Sequence, residues 1–284
     1  MSHNNSMNNS VSLELKKRVL LVACLLSAAG ALLVNVMPIL LGSAAEHMTL
    51  NDQQLGVVGS AFLTGFALVS ITSTMWVDRL DWQCLAYGSF AVIIPLMLFC
   101  AVIDTFYPLV VLLVLIGVGC GCLYTLGIAI IAQSSSPDRY FGWKLMCEIG
   151  AGSLLMLVLP SLVFGRWGYP GVAVAIGLVF VLFALIFVWL RERICANEPQ
   201  TPEPDLYGSE DLARLNVPAW LGLLFLLVHF SGINGVWAFI ERIGNDLGIS
   251  AEDIGFALSL SLILGGVGAM ISGIIGARFG RALP

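Results

Sequence analysis

The sequence predicts an all-α integral membrane protein, a bundle of eight spans, and three observations carry that prediction. Of 284 residues, 58% are hydrophobic and only 11% are charged, against about 25% charged in an ordinary soluble chain. The apolar residues are gathered into runs of about 20 residues or more, the length a helix needs to cross a hydrocarbon core of about 30 Å. The runs are continuously apolar instead of alternating, which excludes a membrane barrel. Lipid offers the backbone no partner, so each run must close its hydrogen bonds as a helix.

Residues 1–15 are polar and Asn/Ser-rich and read as disordered, within an N-terminal tail over 1–18. Lys16-Lys17-Arg18 precede the first span, Val19–Leu41, whose 23 residues exceed the core of a cleaved leader. Further spans are predicted at Gln54–Val77, Cys84–Ile103, Tyr107–Ala132, Phe141–Phe164, Pro170–Leu190, Pro218–Glu241 and Ile254–Ala277. Residues 19–190 thus form a six-span unit, and 218–284 hold the first two spans of a second unit. Between them, 191–217 is a linker with Pro199, Pro202, Pro204 and six acids. Its Ser209–Leu215 stretch reads as a short capped helix lying on the membrane surface. Orientation follows from the basic residues. With the N-terminus in the cytoplasm, Lys16, Lys17, Arg18, Arg79, Arg139, Lys144, Arg191, Arg193, Arg214, Arg278 and Arg281 lie on the inner side. Only Arg166 and Arg242 lie on the outer side.

The chain repeats itself. A shift of 199 positions lays Leu50–Trp82 on Ile249–Arg281, matching Gly56 with Gly255, Ser60 with Ser259, Ser73 with Ser272 and Arg79 with Arg278. Carried upstream, it places Asn35 on Asn234. The shared register and hydropathy argue for a duplicated helix pair. The first copy ends in Asp78-Arg79, the second in Gly273-x3-Ala277-Arg278-Phe279-Gly280-Arg281. Both resemble the loop motif G-x3-D-R-x-G-R of the major facilitator superfamily, found after the second helix and echoed after the eighth. The first copy departs from it with Thr74 and Asp81 in place of glycines, the second with Ala277 in place of the acid. The resemblance implies a major-facilitator-type bundle of twelve helices, of which this chain would be a form truncated after the eighth. It also implies a multi-pass protein of the cell membrane, the inner membrane in a bacterium.

Polar groups inside apolar spans are costly and mark candidate sites. Asn35 and Asn234 each lie 16 residues beyond their span starts, roughly 24 Å along the helix. The resemblance places the first and seventh helices around a central cavity, so the pair is expected to face substrate, with an interhelical hydrogen bond as the plainer role. Tyr124 and Thr125 join them on the fourth span, another cavity-lining helix by the same resemblance. His229 sits near the midplane and can change charge near neutral pH, which makes it a proton-coupling candidate. Glu148 is the second, although Lys144 four residues earlier can neutralise it. Ser231-Gly232-Ile233-Asn234-Gly235 should weaken the seventh helix. The resemblance assigns Asp78, Arg79, Arg139 and Arg278 to a gating loop network on the cytoplasmic side.

The remaining signals are structural or absent. The rows Gly56-x3-Ser60-x3-Thr64, Gly117-x-Gly119-x-Gly121 and Gly265-Gly266-x-Gly268 read as helix-packing features. The seven cysteines share no framework spacing and read as small packing residues. No P-loop, HExxH, GxSxG or GxGD pattern occurs, so neither an enzyme nor a cofactor or metal is expected. No basic stripe points to nucleic acid. The expected partners are the lipid bilayer, a small-molecule substrate and protons, in secondary active transport by alternating access. Multidrug efflux is an alternative, disfavoured by Leu155 and Leu159-Pro160 where related antiporters carry a glycine series. A non-transporting sensor built on the same fold is the other.

Overall fold

The computed structural model describes residues 2–77, 79–134, 137–195 and 217–279, and among these residues it is helical with no strand. The helices are α1 (Ser2–Met48), α2 (Asp52–Thr72), α3 (Trp82–Cys100), α4 (Phe106–Ala132), α5 (Pro137–Val158), α6 (Gly165–Cys195), α7 (Val217–Asp246) and α8 (Ala251–Phe279). Most of the predicted linker, 196–216, lies outside the described residues.

Helix α1 departs from the sequence reading at both ends. Its backbone is helical from Ser2, where the polar head was expected to be disordered; no glycine or proline precedes Gly30 to stop a helix propagating backwards. At its other end α1 runs past Leu41 to Met48, and Thr49 turns the chain at φ 51°. Asn51 then caps α2. Its side chain accepts from the Gln54 amide at 2.8 Å, while the Gln54 side chain accepts from the Asn51 amide at 3.0 Å. Asp81, one departure from the loop motif, has a local role: its carboxylate accepts from the Gln83 amide at 2.8 Å and caps α3.

The segment Tyr140–Leu190 is helical over 51 residues, which at 1.5 Å per residue is about 76 Å, more than two core thicknesses. It is two spans. A π-helical turn over Leu159–Phe164 and Gly168, at φ 57° and ψ −153°, break it, and Pro170 starts the next run. The eight predicted spans are therefore all present, with ends moved by a few residues.

Helix α1 is the centre of the bundle. It packs on α4, α5 and α6 and also meets α7, while α8 packs on α5. Leu32, Leu33, Val36, Phe62, Ile93 and Ile116 are fully buried among these helices. Lipid supplies no hydrophobic drive between helices, so close backbone approach has to do that work. A methyl group at Gly30 would stand 2.5 Å from the Tyr124 amide nitrogen, and one at Gly127 would stand 2.5 Å from the Ala23 carbonyl oxygen. Gly65 and Gly117 interlock α2 with α4 in the same way. Gly266 meets Ile149 of α5, and among the described residues nothing stands within 4 Å of a methyl at Gly265 or Gly268.

Candidate functional site

Three polar arrangements stand out against this apolar frame. The first is a buried charged centre where α1, α4 and α5 meet. Lys144 and Glu148 sit one turn apart on α5, and Lys144 Nζ lies 2.7 Å from Glu148 Oε1. Both residues are 5% exposed. Ser27 of α1 donates its hydroxyl to the same carboxylate oxygen at 2.5 Å. Lys144 also donates to the Tyr124 hydroxyl at 3.2 Å and stands over the Tyr124 ring, 4.3 Å from its centroid. Asn35, one further strip along α1, donates to the Glu148 backbone carbonyl at 3.2 Å. Gly152 makes room for it: a methyl there would stand 2.7 Å from Asn35 Cβ. Each charged group is thus neutralised locally, as a buried pair must be to persist.

The second arrangement is a cavity of about 640 Å³ between α1, α2 and α7. Val34, Leu55, Leu63, Phe230 and Trp237 give it an apolar wall, and Ser60, Ser231 and Asn234 are its polar groups. Among the described residues no charged side chain lines it. The Ser231 hydroxyl donates to the Leu227 carbonyl at 2.7 Å, and Asn234 Nδ2 donates to the Phe230 carbonyl at 2.8 Å.

The third arrangement closes one end of the bundle. Arg242 of α7 pairs with Asp52 of α2 at 2.6 Å. The Trp237 indole donates to the Val34 carbonyl of α1 at 3.2 Å. Glu241 is buried beside Gly42 of α1, where a side chain on that glycine would overlap the carboxylate, and it accepts from Asn245 at 2.6 Å. At the same end His47 pairs with Asp104 at 2.8 Å and stacks on Tyr169.

The sequence-predicted residues divide among these places. Glu148, Tyr124 and Asn35 come together in the charged centre. Thr125 is half-buried on α4 next to Tyr124. Asn234 lines the cavity and Asn35 does not, so the two asparagines of the repeat have different partners. His229 is exposed on α7 and stacks on Phe225 at 5.8 Å, outside the cavity lining. The Ser231–Gly235 stretch is unbroken α-helix, because a membrane span keeps its backbone bonds even through glycine. Arg79 is exposed in the turn before α3. Asp78 lies outside the described residues, as do the side chains of Arg139 and Arg278. Sequence reasoning missed Ser27, Asp52 and Trp237, whose partners are distant in the chain.

The model of the Major Facilitator Superfamily matches residues 19–284. The chain belongs to that family. Among solved structures it is similar to a bacterial homologue of the human lysosomal transporter Spinster, in an inward-facing and unoccupied conformation. The TM-score is 0.71 at 19% identity, over 95% of this chain and 64% of that one. At that identity the likeness is one of fold. No curated protein matches the chain.

Proposed function

We propose that the protein moves a small organic solute across the membrane by alternating access, driven by protons that bind at Glu148. One observation carries this reading: Glu148 ties α5 to α1 through Ser27, and these two helices hold the second unit, α1 through α7 and α5 through α8. Protonation of Glu148 removes its charge and leaves Lys144 held by Tyr124, on which it already rests. The α1–α5 junction then changes its packing, and with it the seats of α7 and α8. A ligand or proton shifts such an equilibrium only by binding the two states unequally, and a carboxylate that is paired in one state and not in the other meets that condition.

The solute site is the cavity between α1, α2 and α7. With the N-terminus in the cytoplasm, the closed end at Asp52 and Arg242 faces outward. The family resemblance would give the loop at Arg79 the gating of the opposite, cytoplasmic end. Proteoliposomes loaded with a pH-sensitive dye test this reading when challenged with uncharged, anionic and cationic solutes. The expected result is a pH change inside the vesicles that follows the addition of one solute class and requires that solute. Solute entry without proton movement overturns the coupling. No entry of any class by folded protein favours the non-transporting sensor.

A further inference from the structure

The cavity has a chemistry of its own, and from it we infer that its ligand is an uncharged, largely apolar molecule bearing at least one hydrogen-bond donor. This rests on the reading of the cavity as the solute site and names the class of solute. Among the described residues no charged side chain lines the cavity, so an ion entering it would lose its hydration without gaining a counter-charge from them. The Lys144–Glu148 pair does not supply one. It is buried at the α1–α4–α5 junction, outside the lining, with each charge already matched.

Two of the lining's polar groups, Ser231 and Asn234, keep acceptors free, while Ser60 can donate or accept. Ser231 has committed its hydroxyl proton to the Leu227 carbonyl, which leaves its lone pairs for a ligand. Asn234 has committed one N–H to the Phe230 carbonyl and keeps its side-chain carbonyl and one N–H. Both lie on the α7 face turned to α1 and α2, one turn apart, between Phe230 and Trp237. A hydroxyl or amide N–H satisfies those acceptors, and an apolar body fills the space beside Val34 and Leu63. A carboxylate would find only the remaining Asn234 N–H and the Ser60 hydroxyl as donors, with no counter-charge among the described lining residues.

Three probes that share one rigid apolar cage test this: 1-adamantanemethanol, 1-adamantanecarboxylate and 1-adamantanemethylammonium. Equilibrium binding to the full chain in nanodiscs, with empty nanodiscs subtracted, needs no transport. The alcohol should bind about tenfold or more tighter than either ion, because only the ions lose uncompensated hydration. Asn234→Ala and Ser231→Ala should each weaken the alcohol about two- to twelvefold, the range for one neutral hydrogen bond. Asn234→Asp should shift preference to the ammonium, and a melting curve for each variant separates lost binding from lost folding. Equal or tighter binding of the carboxylate or the ammonium to the unmodified protein would overturn the inference, as would no binding of any probe by folded protein. Alcohol binding without solute-driven pH change would instead sink the coupled-transport reading and leave the ligand class standing.

Discussion

Two ion pairs in this molecule use the same chemistry in opposite settings. Lys144 and Glu148 are one helical turn apart with side chains 6% and 7% exposed, whereas Arg242 and Asp52 join α7 to α2 with side chains 35% and 73% exposed. The first pair belongs to one helix and is locked inside the first unit. The second crosses between units and is open to water at one end. Buried charges are expensive to separate, while exposed pairs contribute roughly 0–1 kcal/mol. On the proposed function, the pair that is costly to disturb is the one whose protonation would change the state of the bundle, and the cheap one would break and re-form in the cycle.

The contrast is broken most directly by removing one buried partner. Lys144→Met leaves the Glu148 carboxylate uncompensated and should cost about 3–5 kcal/mol of stability, read as a large fall in melting temperature. Lys144→Met combined with Glu148→Gln should recover most of that loss. A single Lys144→Met that melts like the parent would mean that the pair is not buried as described. Next in size is the closed end. Gly42→Leu drives a side chain into the position of Glu241, and overpacking of this kind costs about 1–3 kcal/mol. It should also separate α7 from α1 and expose Trp237 to a water-soluble quencher. Unchanged quenching would show that the Glu241 notch does not close that end.

Smaller effects sharpen the division between the two asparagines. Asn35→Ala loses its bond to the Glu148 carbonyl and should cost about 0.5–1.5 kcal/mol of stability with ligand affinity little changed. Asn234→Ala should do the reverse, since its other partner is its own helix. With no shared partner the two effects should add within about 0.5 kcal/mol; strong coupling in the double variant would place both on one ligand. The smallest effect belongs to Asp52→Asn. It should move the melting temperature barely, by an amount equivalent to at most about 1 kcal/mol and erased by high salt.

Much of the fold was legible because a membrane span is a simple message: length, apolarity and basic flanks. All eight spans follow from it, and the Lys144–Glu148 spacing was visible as a helical pair. Its burial was not, because that depends on Ser27 and Tyr124 arriving from α1 and α4, and a serine in an apolar span carries no distinguishing mark. The Asp52–Arg242 contact joins residues 190 positions apart and leaves no local trace. The face of His229 could have been read. Leu226, Phe230, Asn234 and Ala238 recur every fourth residue on the cavity side, and His229 falls off that strip, outside the lining. The 199-residue shift pairs Asn35 with Asn234 in sequence, but the neighbouring helices give them different partners.

The central claim is that proton coupling resides in the buried centre and not on α7. Solute-driven proton movement in proteoliposomes, measured from pH 5 to pH 8 for the unmodified protein, Glu148→Gln and His229→Gln, tests it most directly. The account predicts that Glu148→Gln exchanges solute with no proton movement and no dependence on pH, while His229→Gln behaves as the unmodified protein. Proton movement retained by Glu148→Gln and lost by His229→Gln would contradict it.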